Sequence, residues 1–250
     1  MSTTLATDEP ERPEPTRGTT WRRLLFWSLL GIPILFIVLI PFIGFSAFIL
    51  IFIIVPSIAA FWVRAGGRGA VIFALVVAAL IVFMNVPFFV VPALTQPAST
   101  GDFISAVIFT CLAVLALIAS IAILRRGDGP SPVIRTAIRV ALGAVLLSVL
   151  IAIVARVTYE AATPEQGDVR VVTEGIEFVP EELEAASGAD SVFVDNNDQT
   201  LHTFTIDELD VSLQIPASGS ERIDFDAPAG EYEFYCIPHE STMKGTLTVR

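Results

Sequence analysis

The chain has 250 residues, 54% of them apolar, with 15 Lys and Arg against 26 Asp and Glu. This composition is too apolar for a single soluble domain, so part of the chain is predicted to lie in a lipid bilayer. Residues 159–250 hold 20 acidic and 4 basic side chains, whereas residues 1–158 hold 6 acidic and 11 basic. No basic stretch remains outside the flanks of the apolar segments, which argues against nucleic-acid binding.

The first 20 residues are rich in Pro, Thr, Asp and Glu and nearly free of apolar side chains. Such a segment cannot bury a core, so residues 1–20 are predicted to form a disordered cytoplasmic tail. The apolar stretch that follows Arg22 and Arg23 is too long for a cleavable signal peptide.

Residues 21–158 are predicted to form a helical transmembrane domain. Residues 24–63 carry no charge, and as one helix they would be roughly 60 Å long, about twice the hydrocarbon thickness of a bilayer. They are therefore predicted to form two spans that meet near Pro41 and Gly44. The five predicted spans cover residues 24–41, 43–63, 69–94, 104–124 and 136–158.

The basic residues predict how these spans are oriented. They cluster at Arg22/Arg23, at Arg64/Arg68 and at residues 125–139, whereas the connection at residues 95–102 has none. The positive-inside rule places those three groups in the cytoplasm. Five spans then put residues 159–250 outside the cell membrane, beyond a linker at residues 159–168.

The predicted spans offer little chemistry of their own. They contain no His, Asp, Glu or Lys, so haem ligation and carboxylate proton relays lack their side chains. Asn85, close to Pro87 and Pro92, has two interpretations: a broken helix at a binding site, or a hydrogen bond between helices. The second is the commoner use of a membrane amide.

Residues 169–250 change to a period-two pattern. Short apolar runs alternate with polar residues and are separated by Gly, Pro, Asp and Asn clusters about every ten residues. This spacing predicts an all-β fold outside the membrane, an antiparallel sandwich or barrel, of which we expect a Greek-key sandwich.

The side chains that can bind a metal are concentrated near the end of this domain. Cys236, His239 and Met243 lie within eight residues, and His202 is the only other histidine in the chain. Alternation places His202 on the face of Phe204 and directs Cys236 inward as well. Two imidazoles and a thiolate with a weak axial thioether suit one copper ion in a trigonal site.

At this point residues 169–250 resemble the cupredoxins, in particular plastocyanin-like and halocyanin-like blue copper proteins. The matching segments are Gly175–Pro180, Asp195–Asn197 ahead of His202, Ala229–Tyr232, the ligand loop and Lys244–Val249. The resemblance implies one type-1 copper held by His202, Cys236, His239 and Met243. Three residues separate His239 from Met243, against four in plastocyanin-type loops and two in amicyanin-type loops.

These features predict a membrane-anchored carrier of single electrons that does not turn over a substrate alone. The acidic surface favours a redox partner with a basic docking face. An extracytoplasmic protein for copper acquisition, delivery or sensing is the alternative. Oxidases with several coppers would require further histidines, and a binuclear copper site would require a second cysteine in the ligand loop.

Overall fold

The structure is a computed structural model that describes residues 19–45, 47–186 and 188–250. The predicted tail lies outside the described residues except for its last two positions. The remaining chain has a helical N-terminal part and an all-β C-terminal part, as the sequence predicts.

The N-terminal part consists of apolar helices. They are α1 (Trp21–Ile43), α2 (Ile49–Ala65), α3 (Arg68–Asn85), α4 (Val91–Thr95), α5 (Thr100–Arg126) and α6 (Pro132–Thr158). Within the described residues, α1, α5 and α6 are long and apolar enough to cross a membrane, while α2 and α3 are shorter apolar helices. The count of five spans and their boundaries stay predictions.

Successive helices run in alternate directions, so the bundle has two distinct ends. At one end the Arg22 guanidinium donates to the carbonyl of Val63 at 2.9 Å, and the Arg22 N–H donates to Asp128 at 3.0 Å. These contacts join the start of α1, the end of α2 and the turn between α5 and α6. We call this the basic end; its arginines are Arg22, Arg23, Arg64, Arg68, Arg125, Arg126, Arg135 and Arg139.

Small residues allow the helices to pack closely. Ala59 and Ala60 on α2, Ala74 on α3, and Ala113 and Ala116 on α5 are almost completely buried. Association of helices in lipid depends on close van der Waals packing, which small side chains permit. The leucines, isoleucines and phenylalanines on the outer faces remain exposed, as a surface in contact with lipid requires.

The helix that begins with α3 is distorted before it reaches α4. Residues Val86–Val90 form one wider π-helical turn that contains Pro87. Proline has no N–H to donate to the preceding turn, so the regular hydrogen-bond ladder is interrupted here. The helix is therefore distorted but continuous at this segment. The Asn85 side chain lies outside the described side chains, so both of its interpretations stay predictions.

The C-terminal part has nine strands within the residues that the structure describes. They are β1 (Val169–Thr173), β2 (Phe178–Val179), β3 (Glu182–Ala185), β4 (Gly188–Asn196), β5 (His202–Ile206), β6 (Val211–Ile215), β7 (Ser220–Ala227), β8 (Gly230–Tyr235) and β9 (Lys244–Val249). They form two sheets, with strand orders β2-β1-β4-β7 and β3-β9-β8-β5-β6. The predicted sandwich is confirmed.

The expected antiparallel pairing does not extend to every strand. β1 pairs with β4 in parallel, and β3 pairs with β9 in parallel. In both cases the partner lies far along the chain, so no tight hairpin dictates an antiparallel direction. Parallel pairing of this kind leaves no signal in a local alternation pattern.

The core between the sheets is aromatic. The rings of Phe204 and Phe234 are stacked at 4.8 Å, and Phe178 meets both edge-on. A Cβ at Gly245 would collide with the Phe234 ring and with the carbonyl of Glu181, so glycine is required there. This core holds β5 and β8 side by side, and the predicted ligands begin at the ends of these two strands.

Candidate metal centre

Adjacent strands bring the predicted ligands together. His202 is the first residue of β5, and Cys236 directly follows β8. A short 3-10 turn over Ile237–His239 then returns the chain toward β9, with Met243 just before it. His202, Cys236 and Met243 are completely buried, while His239 is half-buried. The centre therefore lies at one edge of the sandwich, with His239 nearest its surface.

The donor atoms have the spacing of a metal site. Cys236 Sγ lies 3.5 Å from His202 Nδ1 and 3.6 Å from His239 Nδ1. The three ligand atoms all lie within 4.8 Å of one another. Bonds of about 2.0–2.3 Å to nitrogen and sulfur would hold trigonal ligand atoms roughly 3.6 Å apart, so one ion fits between them. The donor set, two imidazoles and one thiolate, suits copper.

Met243 belongs to the same loop through its backbone. Its carbonyl accepts the Cys236 N–H at 3.0 Å, and its own N–H donates to the His239 carbonyl at 2.8 Å. Its side chain packs in the same buried cluster as Cys236. That Met243 is the fourth ligand stays a prediction, as do the roles of the other three residues as ligands.

Thr203, which the sequence analysis missed, positions the thiol. Its N–H donates to Cys236 Sγ at 3.3 Å, and its hydroxyl accepts the Ile237 N–H at 2.8 Å. Both bonds connect β5 to the ligand loop, and the N–H bond stabilises negative charge on sulfur. The sequence signal was weak, because a threonine after a buried histidine is also ordinary strand composition.

Asp198 is a second residue that the sequence analysis missed. Its carboxylate lies 2.8 Å from His202 Nε2 and also accepts the N–H groups of Gly175 and Ile176. A proton held on Nε2 leaves Nδ1 free to bind a metal, and such outer partners also fix the ring orientation. An acidic residue four positions before a candidate ligand was the available signal.

Asn196 supports the same loop from inside. It is buried, and its amide donates to the carbonyls of Thr200, Ile215 and Pro216. Its carbonyl accepts the Thr173 hydroxyl at 2.8 Å. Asn196 therefore fixes the loop that leads into His202.

The pKa values of the two histidines favour the neutral imidazoles that a metal requires. Burial and then the nearby His202 charge lower the pKa of His239 to about 4. Burial also lowers the pKa of His202, although Asp198 offsets part of the effect. Burial raises the pKa of the Cys236 thiol to about 11. Both imidazoles are thus neutral at pH 7, and the thiol loses its proton when a metal binds.

The ligand edge of the sandwich packs against the helical bundle, at the end opposite the basic end. The Asp102 carboxylate, in the first turn of α5, accepts the Leu201 N–H at 2.8 Å and the Thr200 hydroxyl at 2.9 Å. These residues immediately precede His202. Sequence analysis left Asp102 in a connection between spans; the available signal was that it is the only acidic residue between positions 15 and 127.

Further hydrogen bonds join the two parts. The buried Ser99 hydroxyl accepts the Ala217 N–H at 2.8 Å, and the Arg156 guanidinium donates to the Ala217 and Ser218 carbonyls. The Tyr159 hydroxyl donates to the Ser220 carbonyl at 2.7 Å. The β-sandwich is therefore attached to the bundle along its ligand edge as well as through the chain.

Residues 144–249 match the family model described as a cupredoxin-like domain. No curated protein matches the chain. An amicyanin variant in its reduced Cu(I) form is 22% identical, covering 37% of this chain and 90% of that one, with a TM-score of 0.31.

Two other solved structures show similar coverage of this chain. The metal-binding domain of the Cu(I)-exporting P-type ATPase of Streptococcus pneumoniae is 20% identical, covering 36% of this chain and 92% of that one, with a TM-score of 0.30. A Cu-containing nitrite reductase from Thermus scotoductus is 25% identical, covering 37% of this chain and 24% of that one, with a TM-score of 0.30.

Proposed function

We propose that this chain, whose C-terminal part is a cupredoxin-like domain attached to apolar helices, is a membrane-anchored type-1 copper protein that carries single electrons. One observation carries the proposal: His202, Cys236 and His239 place two imidazole nitrogens and a thiol sulfur around one point inside the sandwich. Copper bound there would alternate between Cu(I) and Cu(II).

The protein around this point supports electron transfer rather than substrate chemistry. With Met243 as a fourth, weak ligand, no coordination position remains for a substrate. The hydrogen bonds of Asp198, Thr203 and Asn196 hold the ligands in place from the surrounding strands. A site fixed in this way needs little rearrangement when its charge changes, which favours fast transfer of one electron.

We propose that the copper domain lies on the outer face of the membrane. The basic end of the bundle and the copper domain lie at opposite ends of the helices, and the positive-inside rule assigns the basic end to the cytoplasm. The N-terminus would then be cytoplasmic.

A redox partner with a basic docking face fits the acidic surface near the ligand loop. Burial and then the carboxylates of Asp207, Glu240 and Glu208 raise the pKa of Tyr235, the residue that precedes Cys236. These negative charges would attract a cationic partner, and salt would weaken the attraction. Association that slows as ionic strength rises, and that is weaker in Glu240→Lys, would support this partner.

Redox cycling of the purified full chain distinguishes electron carriage from copper delivery. An electron carrier is expected to undergo repeated one-electron oxidation and reduction with its copper retained, even beside a Cu(I) chelator. A delivery protein would lose Cu(I) to the chelator within the first reduction. Rapid loss of copper on reduction would therefore contradict the proposal and support the alternative.

A further inference from the structure

A cavity of about 220 Å³ lies where the helical bundle meets the copper domain. Its walls come from the end of α1, the start of α2, the segment around α4 and the start of α5. The copper domain closes it with Thr200, Leu201, Pro238 and His239. The cavity is thus shared by the apolar helices and the ligand loop, and neither part would form it alone.

The helical walls are aromatic and apolar. Phe36, Phe52 and Phe109 all line the cavity. The rings of Phe36 and Phe52 are stacked at 4.9 Å, and Phe109 meets Phe36 edge-on at 5.6 Å. A cavity of about 150 Å³ with apolar walls accommodates benzene, so 220 Å³ can hold one ring with several substituents.

Polar groups gather on the side of the cavity toward the copper domain. Asp102 and Ser105 of α5 line it, together with Thr200 and His239. The Asp102 carboxylate already accepts two hydrogen bonds from the copper domain, and an ionised carboxylate has capacity for about four. A ligand with an apolar body and a hydroxyl or carbonyl group would match both sides of the cavity.

His239 connects this cavity to the metal centre. The residue lines the cavity, and its Nδ1 lies 3.6 Å from Cys236 Sγ. A molecule in the cavity would therefore lie next to a residue that is also part of the metal-binding cluster. That position suits a molecule that exchanges electrons with the metal.

The segment that follows the π-helical turn also forms part of the cavity wall. Val90, Pro92 and Ala93 line the cavity just after the π-helical turn. Such turns interrupt regular helices where a wall must be reshaped, and they occur often at functional sites. Shaping the cavity wall thus gives the segment with Pro87 and Pro92 a role beyond anchoring.

We propose that this cavity binds the ring of a lipid-soluble hydroquinone or its quinone, which reaches the cavity from the bilayer and supplies electrons through His239. The proposal rests on the function proposed above. Oxidation of a hydroquinone to the quinone breaks two O–H bonds and releases two electrons and two protons. The two electrons leave in separate transfers, each reducing one Cu(II) to Cu(I), with the redox partner removing the first before the second. Both protons are released to water.

A lipid acyl chain is the competing occupant. It would fill the aromatic part of the cavity but would leave the polar groups around Asp102 and His239 without a partner in the ligand. A hydroquinone ring satisfies both regions. Competition between a quinone and a saturated alkyl compound of equal chain length therefore separates the two occupants.

Binding is tested on the full chain in lipid nanodiscs with copper removed, using a benzoquinone that carries a decyl chain. We expect saturable binding that Ala106→Phe, which fills the cavity from α5, weakens by about tenfold or more. The matched control is Ala79→Phe, the same substitution on the exposed face of α3, which should bind as the wild type does. Wild-type binding that Ala106→Phe leaves unchanged, or equal competition by the saturated alkyl compound, would overturn the proposal.

Proximity to His239 is tested with copper present. The quinone form cannot reduce Cu(II), so its ring protons should relax faster in the presence of the Cu(II) protein than of the Cu(I) protein. Equal relaxation would overturn the proposal even if Ala106→Phe failed to fold. Because the blue colour and the redox cycling are measured without any quinone, failure of the proposed function would be seen separately.

Discussion

The helical bundle and the copper domain are stabilised in different ways. The bundle packs alanines and large apolar side chains, and its sequence contains two acidic residues, Asp102 and Asp128. The copper domain combines an aromatic core with a buried polar network of Asn196, Asp198 and Thr203 around His202. Packing of apolar side chains therefore stabilises the bundle, whereas the surroundings of His202 depend on the hydrogen bonds of the sandwich.

The largest expected effect is cleavage of the chain between the two regions by an external protease, because it separates them completely. The segment 163–167 between α6 and β1 is exposed and contains Glu165. With a recognition site for a sequence-specific protease inserted at residues 163–167, protease added to right-side-out vesicles should cut the chain there and separate the whole copper domain from the helices. Cleavage only after the vesicles are broken would place the copper domain in the cytoplasm.

The next effect compares two ligands within the copper domain. His202→Ala should remove the site, because it deletes a buried nitrogen donor together with its bond to Asp198. Met243→Leu should retain copper with a raised reduction potential, because the axial bond is weak and the substitution keeps the volume. Copper content and potentiometric titration measure both effects. An unchanged potential in Met243→Leu would show that Met243 does not coordinate.

Acid should destabilise the metal-free copper domain. The pKa of His239 is lowered from 6.5 to about 4, so between these values the unfolded chain binds a proton that the folded chain does not. The contribution of His239 to the free energy of unfolding is therefore fully present above about pH 6.5. It is lost as the pH falls toward 4, a decrease of roughly 3 kcal/mol. His202 acts in the same direction.

Thermal unfolding of the metal-free full chain at a series of pH values measures this effect. Bound metal occupies the imidazole nitrogens, so the metal-loaded chain should be less sensitive over the same range. A midpoint that does not change between pH 7 and pH 4 in the metal-free protein would contradict the burial of His239.

A smaller effect concerns the contact between the two regions. Asp102→Ala removes the acceptor of the Leu201 N–H and the Thr200 hydroxyl, at a cost of about 1–3 kcal/mol for buried donors left unpaired. Hydrogen exchange at Leu201 should become faster. Asp128→Ala is the matched control, since Asp128 lies at the basic end and should leave that exchange rate unchanged. Equal effects of both variants would show that Asp102 has no specific role.

Much of the architecture could be predicted because the signals are local. Long charge-free runs indicated the helices, and alternation indicated the sandwich and placed His202 and Cys236 facing inward. Val211–Ile215, which forms β6, also alternates, whereas β2 is too short to show any period.

The remaining features depend on contacts between distant residues. The parallel pairing of β1 with β4 and the contact of Asp102 with Leu201 join segments whose local patterns carry no sign of each other. The bond between Asp198 and His202 was closer to being predictable, because only four positions separate the residues. A carboxylate at that spacing is common in loops, however, so the spacing alone does not identify a partner of the imidazole.

The visible and electron paramagnetic resonance spectra of the Cu(II)-loaded full chain test the central claim most directly. Wild type should be intensely coloured, with narrow copper hyperfine splitting, because a short thiolate bond from Cys236 defines a type-1 site. Cys236→Ser should lose both signals, whereas Cys111→Ser, which changes the chain's other free cysteine in α5, should keep them. A colourless Cu(II)-loaded wild type, or colour that survives in Cys236→Ser, would contradict the account.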